Sequence, residues 1–469
     1  MTGPATAAPP VADEAALAAL AADLRALLGD RGVTTDLRGR EKASLDGAWM
    51  SPILTAQLPL GLADLVAFPA SAEEIAQVIG LAVRHGVGIT PRGKGTGNYG
   101  QAIPLHGGLV LDLSRARQVV EVGDGFLTAE AGASMVQLEQ AAARTGQQLW
   151  MYPSTAQSSI GGFLSGGSGG TGSIQHGANH MGFVQALDVV HAVPDARLEH
   201  VEGDAAQPFV HTYGTAGIIA RATVRLEPLV DSRGLYASFP GFDGVLAVVR
   251  EVGALTPTPR LVSGDLPEVA DTLPDDPAIP RGRASLRAIL HPDTVAAATA
   301  LIEAAGGRVE EIREGAPATV RISMLSYNHP IEWLQRQEPG KWFHVEVSGD
   351  ALVDRIDEVH AVYPGGRLHI EAQHRGPIGM LAGIYASPEQ VRAGMAALRA
   401  LGVGVHDPHQ YYVDHEVERT AELARRTDPR GLLNPGKLDA TRQGPTKYGE
   451  RPFAGATSAT APATAATAS

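Results

Sequence analysis

The chain has 469 residues, 38 Lys and Arg against 51 Asp and Glu, a net charge of −13 and no cysteine. The negative balance argues against nucleic acid or an anionic membrane surface as a partner. The missing cysteine removes disulfides, thiolate metal sites, iron–sulfur clusters and thiol catalysis together.

No apolar run reaches membrane-spanning length. Residues 1–10 lack the basic and apolar regions of a secretory signal, so a cytoplasmic protein is expected. Residues 13–29 are Ala- and Leu-rich with helical spacing. Ser71-Ala72-Glu73-Glu74 is a capping box that opens a helix ending near Gly86. The run Pro91-Arg92-Gly93-Lys94-Gly95-Thr96-Gly97-Asn98 follows. Strands are predicted over 109–113, 119–122 and 127–131, then a helix from Ser134 stopped by Gly146. A second glycine-rich run starts at Pro153-Ser154-Thr155 and continues through Ser158-Ser159-Ile160-Gly161-Gly162 to Gly172. Strands over 184–193 and 218–226 complete this half.

From Asp231 the pattern changes. Strand 235–239, helix 242–253, strand 284–290 and helix 294–305 are followed by strand 343–347, helix 351–363 and strands 368–373 and 378–385. This reads as an antiparallel sheet with helices on one face. The Pro-rich stretch 255–282 is expected to be loop. Ser387-Pro388 starts a helix, with Ser at the N-cap and Pro at N1. The chain then returns to the first domain. The expected divisions are an N-terminal helical segment 1–59, a cofactor domain 60–230, a substrate domain 231–395, a return segment 396–440 and a disordered Ala/Thr-rich tail 441–469. Strands and helices in this mixture make an α+β protein.

Glycine-rich backbone forms anion-binding concavities and permits close approach, so two such loops imply a large phosphate-bearing cofactor. Gly95-Thr96-Gly97-Asn98-Tyr99-Gly100 also fits the dinucleotide fingerprint. That motif needs a helix directly after the glycines. Here Pro104, Gly107 and Gly108 stand where a helix would propagate, and a strand follows. The loop therefore connects strands.

Four blocks carry a resemblance: residues 89–97, 158–162, 214–219 and 428–437, the last containing Asn434-Pro435-Gly436-Lys437. In order and spacing the chain resembles the FAD-binding flavoproteins of the vanillyl-alcohol oxidase and p-cresol methylhydroxylase superfamily. The resemblance implies a PCMH-type FAD-binding domain with a cap domain. It implies FAD held by Pro91 to Asn98, Gln101, Pro153, Ser154, Thr155, Ser158, Ser159, Ile160, Gly161, Gly162, Gly166, Gly169, Gly172, Gly217, Ile218 and Asn434. Many relatives link the flavin to His in an Arg-x-Gly-Gly-His pattern; that position is Thr96 here, and the cysteine route is closed. Non-covalent FAD is expected.

In the second domain, His344, Glu346 and Ser348 share one strand face, and His369, Glu371 and Gln373 share one face of another. The resemblance makes that face the substrate wall. His369, Glu371 and His374 are catalytic candidates, with His409, Tyr411 and Tyr412 from the later cluster, because His or Tyr can take a hydroxyl proton. Tyr152, His344, Glu346 and Gln373 are substrate-binding candidates. No residue is assigned to a metal, although His and carboxylates suit one. The expected activity is an FAD-dependent oxidoreductase taking hydride from an alcohol or 2-hydroxy acid, with O2 or another acceptor. Alternatives are a hydroxy-acid dehydrogenase, an oxidase of phenolic or natural-product substrates, a metal-dependent enzyme of the His/Glu face and a non-catalytic flavin-binding protein. The oligomeric state is open.

Overall fold

In the computed structural model, which describes residues 12–58, 61–167 and 169–439, three sheets organise the chain. The first has the order Val33–Thr34, Leu65–Ala67, Leu109–Asp112, Ile89–Arg92. Its last three strands are parallel. Parallel strands need crossover connections; Ala72–His85 carries the chain from Leu65–Ala67 to Ile89–Arg92, on the far side of Leu109–Asp112. Ser71 caps this helix by accepting from Glu74 N at 3.2 Å, and Gly86 ends it at φ 70°. Its apolar face, with Ile75, Val78, Ile79 and Val83, is fully buried. The first glycine loop leaves the C-terminal end of Ile89–Arg92 and runs without a helix into Leu109–Asp112, as the sequence requires.

The second sheet is antiparallel, in the order Val119–Gly123, Phe126–Glu130, Ile218–Pro228, Val184–Val190, Leu198–Glu202. Gln147–Leu149 also pairs with Ile218–Pro228. The second glycine run lies between Gln147–Leu149 and Val184–Val190 and contains the short helix Ile160–Gly166, capped by Ser159.

The third sheet has eight antiparallel strands. Their order is Arg308–Glu314, Arg233–Phe239, Ala284–Leu290, Leu261–Asp265, Arg367–Glu371, Ile378–Ile384, Trp342–Ser348, Gly404–His406. Helices Phe242–Gly253 and Pro388–Ala400 pack on one face through Val245, Val249, Val391 and Leu398, against Leu286, Ile370 and Leu381.

Four expectations are corrected here. The Pro-rich stretch holds the central strand Leu261–Asp265 and the helix Pro267–Ala270. The expected helix 351–363 is broken at Arg355 (φ −134°) into Ala351–Asp354 and Ile356–Val362. The second face is not wholly open: Ala270, Ile322 and Leu325 cover Tyr236, Leu261 and Ile289. Finally, Gly404–His406 still belongs to the third sheet, so the chain leaves it later than residue 396. The Ala/Thr-rich tail lies outside the described residues. Among those described, no helix is long and apolar enough to cross a membrane.

Candidate active site

A cavity of about 680 Å³ lies where the two glycine loops meet the third sheet. The first loop lines it with Pro91 to Asn98 and Gln101; the second contributes Pro153, Ser154, Thr155, Ser158, Ser159, Gly161, Gly162, Gly166 and Gly169. Ile218 completes that wall. Thr96 Oγ1 and Ser158 Oγ are 2.8 Å apart, tying loop to loop. A Cβ on Gly93 would stand 2.1 Å from Ser159 Oγ. Gly95 has φ +65°, and a Cβ there would meet the Arg92 guanidinium at 2.1 Å. Only glycine fits this path. Gly97 is less constrained, its Cβ meeting only Gln101 Oε1 at 3.0 Å. Arg92 and Lys94 add positive charge to the same wall. A cradle of glycine backbone and cations suits the pyrophosphate of FAD.

Four expected cofactor residues stand outside the cavity lining. Ile160 is fully buried in the core. Gly172 donates its N–H to Arg260 O, and a Cβ would strike Trp150 O at 1.9 Å. Gly217 (φ +144°) abuts Phe209. Asn434 works from behind the loop: its Nδ2 donates to Gln101 O at 3.0 Å and Tyr213 O at 2.8 Å. Lys437 extends this clamp, donating from Nζ to Gly100 O, Gln101 O and Ile103 O at 2.7–2.8 Å. Burial draws the Lys437 pKa down to about 7 against the pull of Asp46.

The third sheet separates the polar candidates. Glu346, Gln373 and the exposed His374 line the cavity. His369 and Glu371 do not, which corrects the open-face expectation. His369 Nδ1 lies 2.7 Å from Asp265 Oδ1, and its Nε2 lies 2.9 Å from Glu371 Oε1. Arg287 donates to Asp265 Oδ2 at 2.5 Å and to Leu325 O at 2.8 Å. Glu371 Oε1 also accepts from Tyr327 N at 2.7 Å. All four side chains are buried. Burial works against charge on His369, yet the two carboxylates outweigh it and hold the pKa at about 9. The cover over this network is the segment around Tyr327.

That segment also bridges the two loops. Asn98 Nδ2 donates to Glu332 Oε1 at 2.6 Å, Thr155 Oγ1 lies 3.1 Å from His329 Nε2, and Tyr327 OH donates to Gly170 O at 3.0 Å. Asn328 donates to Tyr99 OH at 2.9 Å, and that hydroxyl lies 3.3 Å from His344 Nε2. His344 itself is buried behind the lining, and burial, then the charge of His409, lowers its pKa to about 4.

The remaining candidates lie elsewhere. His409, Tyr411 and Tyr412 line a second cavity of about 260 Å³ beside Pro52–Gln57 and Pro388–Ala400. His409 Nδ1 lies 2.7 Å from Ser51 Oγ, and burial lowers its pKa to about 4. Tyr152 is a core residue beneath the Arg260 guanidinium. Sequence reasoning assigned no role to Tyr99, Tyr327, Asn328 or Glu332, and it named His406 within the later cluster without choosing it as a candidate; all five line the cavity. Among the described residues, no group of three or more His, Asp or Glu is set to hold a metal.

Residues 63–201 match a family described as an FAD binding domain. The chain is 30% identical over 212 residues to an uncharacterized FAD-linked oxidoreductase of Mycobacterium tuberculosis, covering 43% of this chain and 44% of that protein. It is 30% identical over 200 residues to a glycolate oxidase subunit of Bacillus subtilis, covering 40% and 42%. The matches thus span less than half the length of these relatives. The solved structure of an alkyldihydroxyacetonephosphate synthase superposes with a TM-score of 0.70 over 90% of this chain and 86% of its own, at 16% identity. That likeness extends through both domains and concerns the fold.

Proposed function

We propose that this chain, whose residues 63–201 belong to the FAD binding domain family, is an FAD-dependent oxidoreductase that oxidises a small alcohol or 2-hydroxy acid. The observation that carries this reading is the cavity itself, with two phosphate-type glycine loops on one side and a polar sheet face on the other. When bound, FAD supplies the two-electron acceptor for hydride. Residues 92–98, with Ser154, Thr155, Ser158, Ser159, Gly161 and Gly162, grip and orient it. The Asn434 and Lys437 clamp fixes the carbonyls of Gly100, Gln101 and Ile103 behind the loop. The segment around Tyr327 closes over both loops and limits water. The glycolate oxidase subunit among the relatives supports a hydroxy-acid substrate.

FAD is held without a covalent bond in this reading. Thr96 occupies the position of the linking histidine, and its hydroxyl is engaged with Ser158. Acid or heat precipitation is then expected to leave the yellow colour in the supernatant; a yellow pellet overturns this part. The wider reading is tested by the spectrum of the purified protein. Flavin absorption, bleached anaerobically by glycolate or D-lactate, is the expected result. A colourless protein that takes up no added FAD overturns it. Peroxide released on reoxidation in air distinguishes an oxidase from a dehydrogenase that uses another acceptor. A small-molecule substrate and a cytoplasmic site of action belong to the same proposal.

A further inference from the structure

Strands Trp342–Ser348 and Gly404–His406 pair so that Glu346 stands directly opposite His406. His406 Nδ1 lies 2.8 Å from Glu346 Oε2, and its Nε2 lies 2.6 Å from Asp414 Oδ2. An imidazole that meets a carboxylate at each nitrogen must donate from both, so it carries both protons. Burial opposes that charge, but Glu346 and Asp414 prevail and hold the pKa at about 9. Asp407 and His409 also face this ring electrostatically, and Tyr99 senses the charge of Glu346. Of the three members, Glu346 is the most open, its side chain 23% exposed against 9% for His406 and 6% for Asp414. Glu346 and His406 both line the cavity.

We propose that Glu346 is the proton acceptor of this site, and that His406 and Asp414 are positioning residues that fix its carboxylate and keep it ionised. The proposal rests on the oxidoreductase reading above. As the substrate C–H bond breaks, its electron pair leaves with hydrogen as hydride for oxidised flavin. The O–H proton passes to the Glu346 carboxylate, and the C–O bond becomes C=O. Atoms and charge balance: one hydride to the flavin, one proton to Glu346. His406 is a poor alternative because both nitrogens already hold protons. Tyr99 is another poor one, since burial and the nearby carboxylates raise its pKa and keep it protonated.

The test uses the FAD-loaded full chain with glycolate and D-lactate as probes, and Glu346→Gln, His406→Gln and Asp414→Asn as variants. Glu346→Gln is expected to keep its FAD while anaerobic flavin reduction slows by at least about 100-fold, the scale of a lost acid–base group. Asp414→Asn is expected to lose less and to shift the pH profile of reduction. A second readout needs no substrate. With 13C-labelled histidine, the signal that disappears in His406→Gln is expected to titrate near pH 9 in the wild type. It should fall in Asp414→Asn and Glu346→Gln. Reduction of Glu346→Gln within about threefold of wild type, below that acid–base scale, overturns the proposal. So does a His406 titration near the ordinary value of about 6.5. A wild-type flavin that neither acid reduces counts instead against the oxidoreductase reading, and the histidine titration still decides whether Glu346 is held by an imidazolium.

Discussion

The two His–x–Glu strands flank the same neighbour, Ile378–Ile384, and present their polar residues to the same side of the sheet. Their fates differ. Glu346 reaches the cavity, while His369 and Glu371 lie sealed with Asp265 and Arg287 under Leu325 and Tyr327. Arg367–Glu371 sets its own His369 between two carboxylates, whereas Glu346 is paired with His406 of the next strand, Gly404–His406, and both histidines are held at a pKa of about 9. One arrangement is open to a ligand and the other is closed by protein. The difference teaches that polarity on a strand face does not declare a site. What covers the face decides.

The comparison breaks most visibly in stability. Arg287→Met removes one partner from the closed network and leaves the buried Asp265 and Glu371 carboxylates with His369 as the one cation among the described residues that pairs with both. A loss of roughly 3–5 kcal/mol is expected from chemical denaturation, typical of a broken buried pair. Glu346→Gln, on the open side, is expected to cost far less in the same measurement. Equal losses would erase the distinction.

A pH series sharpens it next. The folded pKa of His369 is raised above its unfolded value of about 6.5. Its contribution is therefore fully present below about pH 6.5 and is lost as pH rises through about 9. A shift of this size corresponds to a few kcal/mol as an order of magnitude. Denaturation midpoints should fall between pH 7 and 10, and the fall should be smaller in Glu371→Gln, where one carboxylate that raises the pKa is gone.

Cofactor affinity gives a third handle. Gly95→Ala must place a Cβ at φ +65° against Arg92, at a cost of roughly 1–3 kcal/mol for a strained backbone. A weakening of FAD binding of about 10-fold or more is expected by fluorescence titration, since 1.4 kcal/mol is a factor of ten. Gly97→Ala, with only a flexible Gln101 oxygen in its way, should weaken binding less. The smallest effect is the control. Arg355→Ala breaks an exposed pair with Glu358 and a hydrogen bond to Leu401 O, and it should change stability least of these variants.

The glycine loops were legible in the sequence because glycine at fixed spacing has few structural reasons to exist other than close approach. Most of the expected loop residues do line the cavity. Ile160 and Gly172 do not, because a motif contains residues that serve its own packing as well as its ligand. On the sheet, period two identified the polar face correctly but said nothing of its cover. That cover comes from residues 323–337, which held no strong pattern beyond Pro330 at a helix start. Leu261–Asp265 was hidden for a related reason. Gly264 and Asp265 interrupt its apolar alternation, and Asp265 is tolerated in a central strand only because Arg287 and His369 neutralise it.

The clamp behind the first loop has a consequence for synthesis. Lys437 reaches back 337 residues to Gly100, and Asn434 reaches back 333 to Gln101. The loop therefore leaves the ribosome 333 residues or more before the groups that hold its carbonyls. A nascent chain stalled before Asn434 is thus expected to show no tight FAD binding, whereas one extended past Lys437 with a linker clear of the exit tunnel should acquire it. Cofactor capture then waits until Lys437 has been made, and FAD supplied earlier finds no finished site.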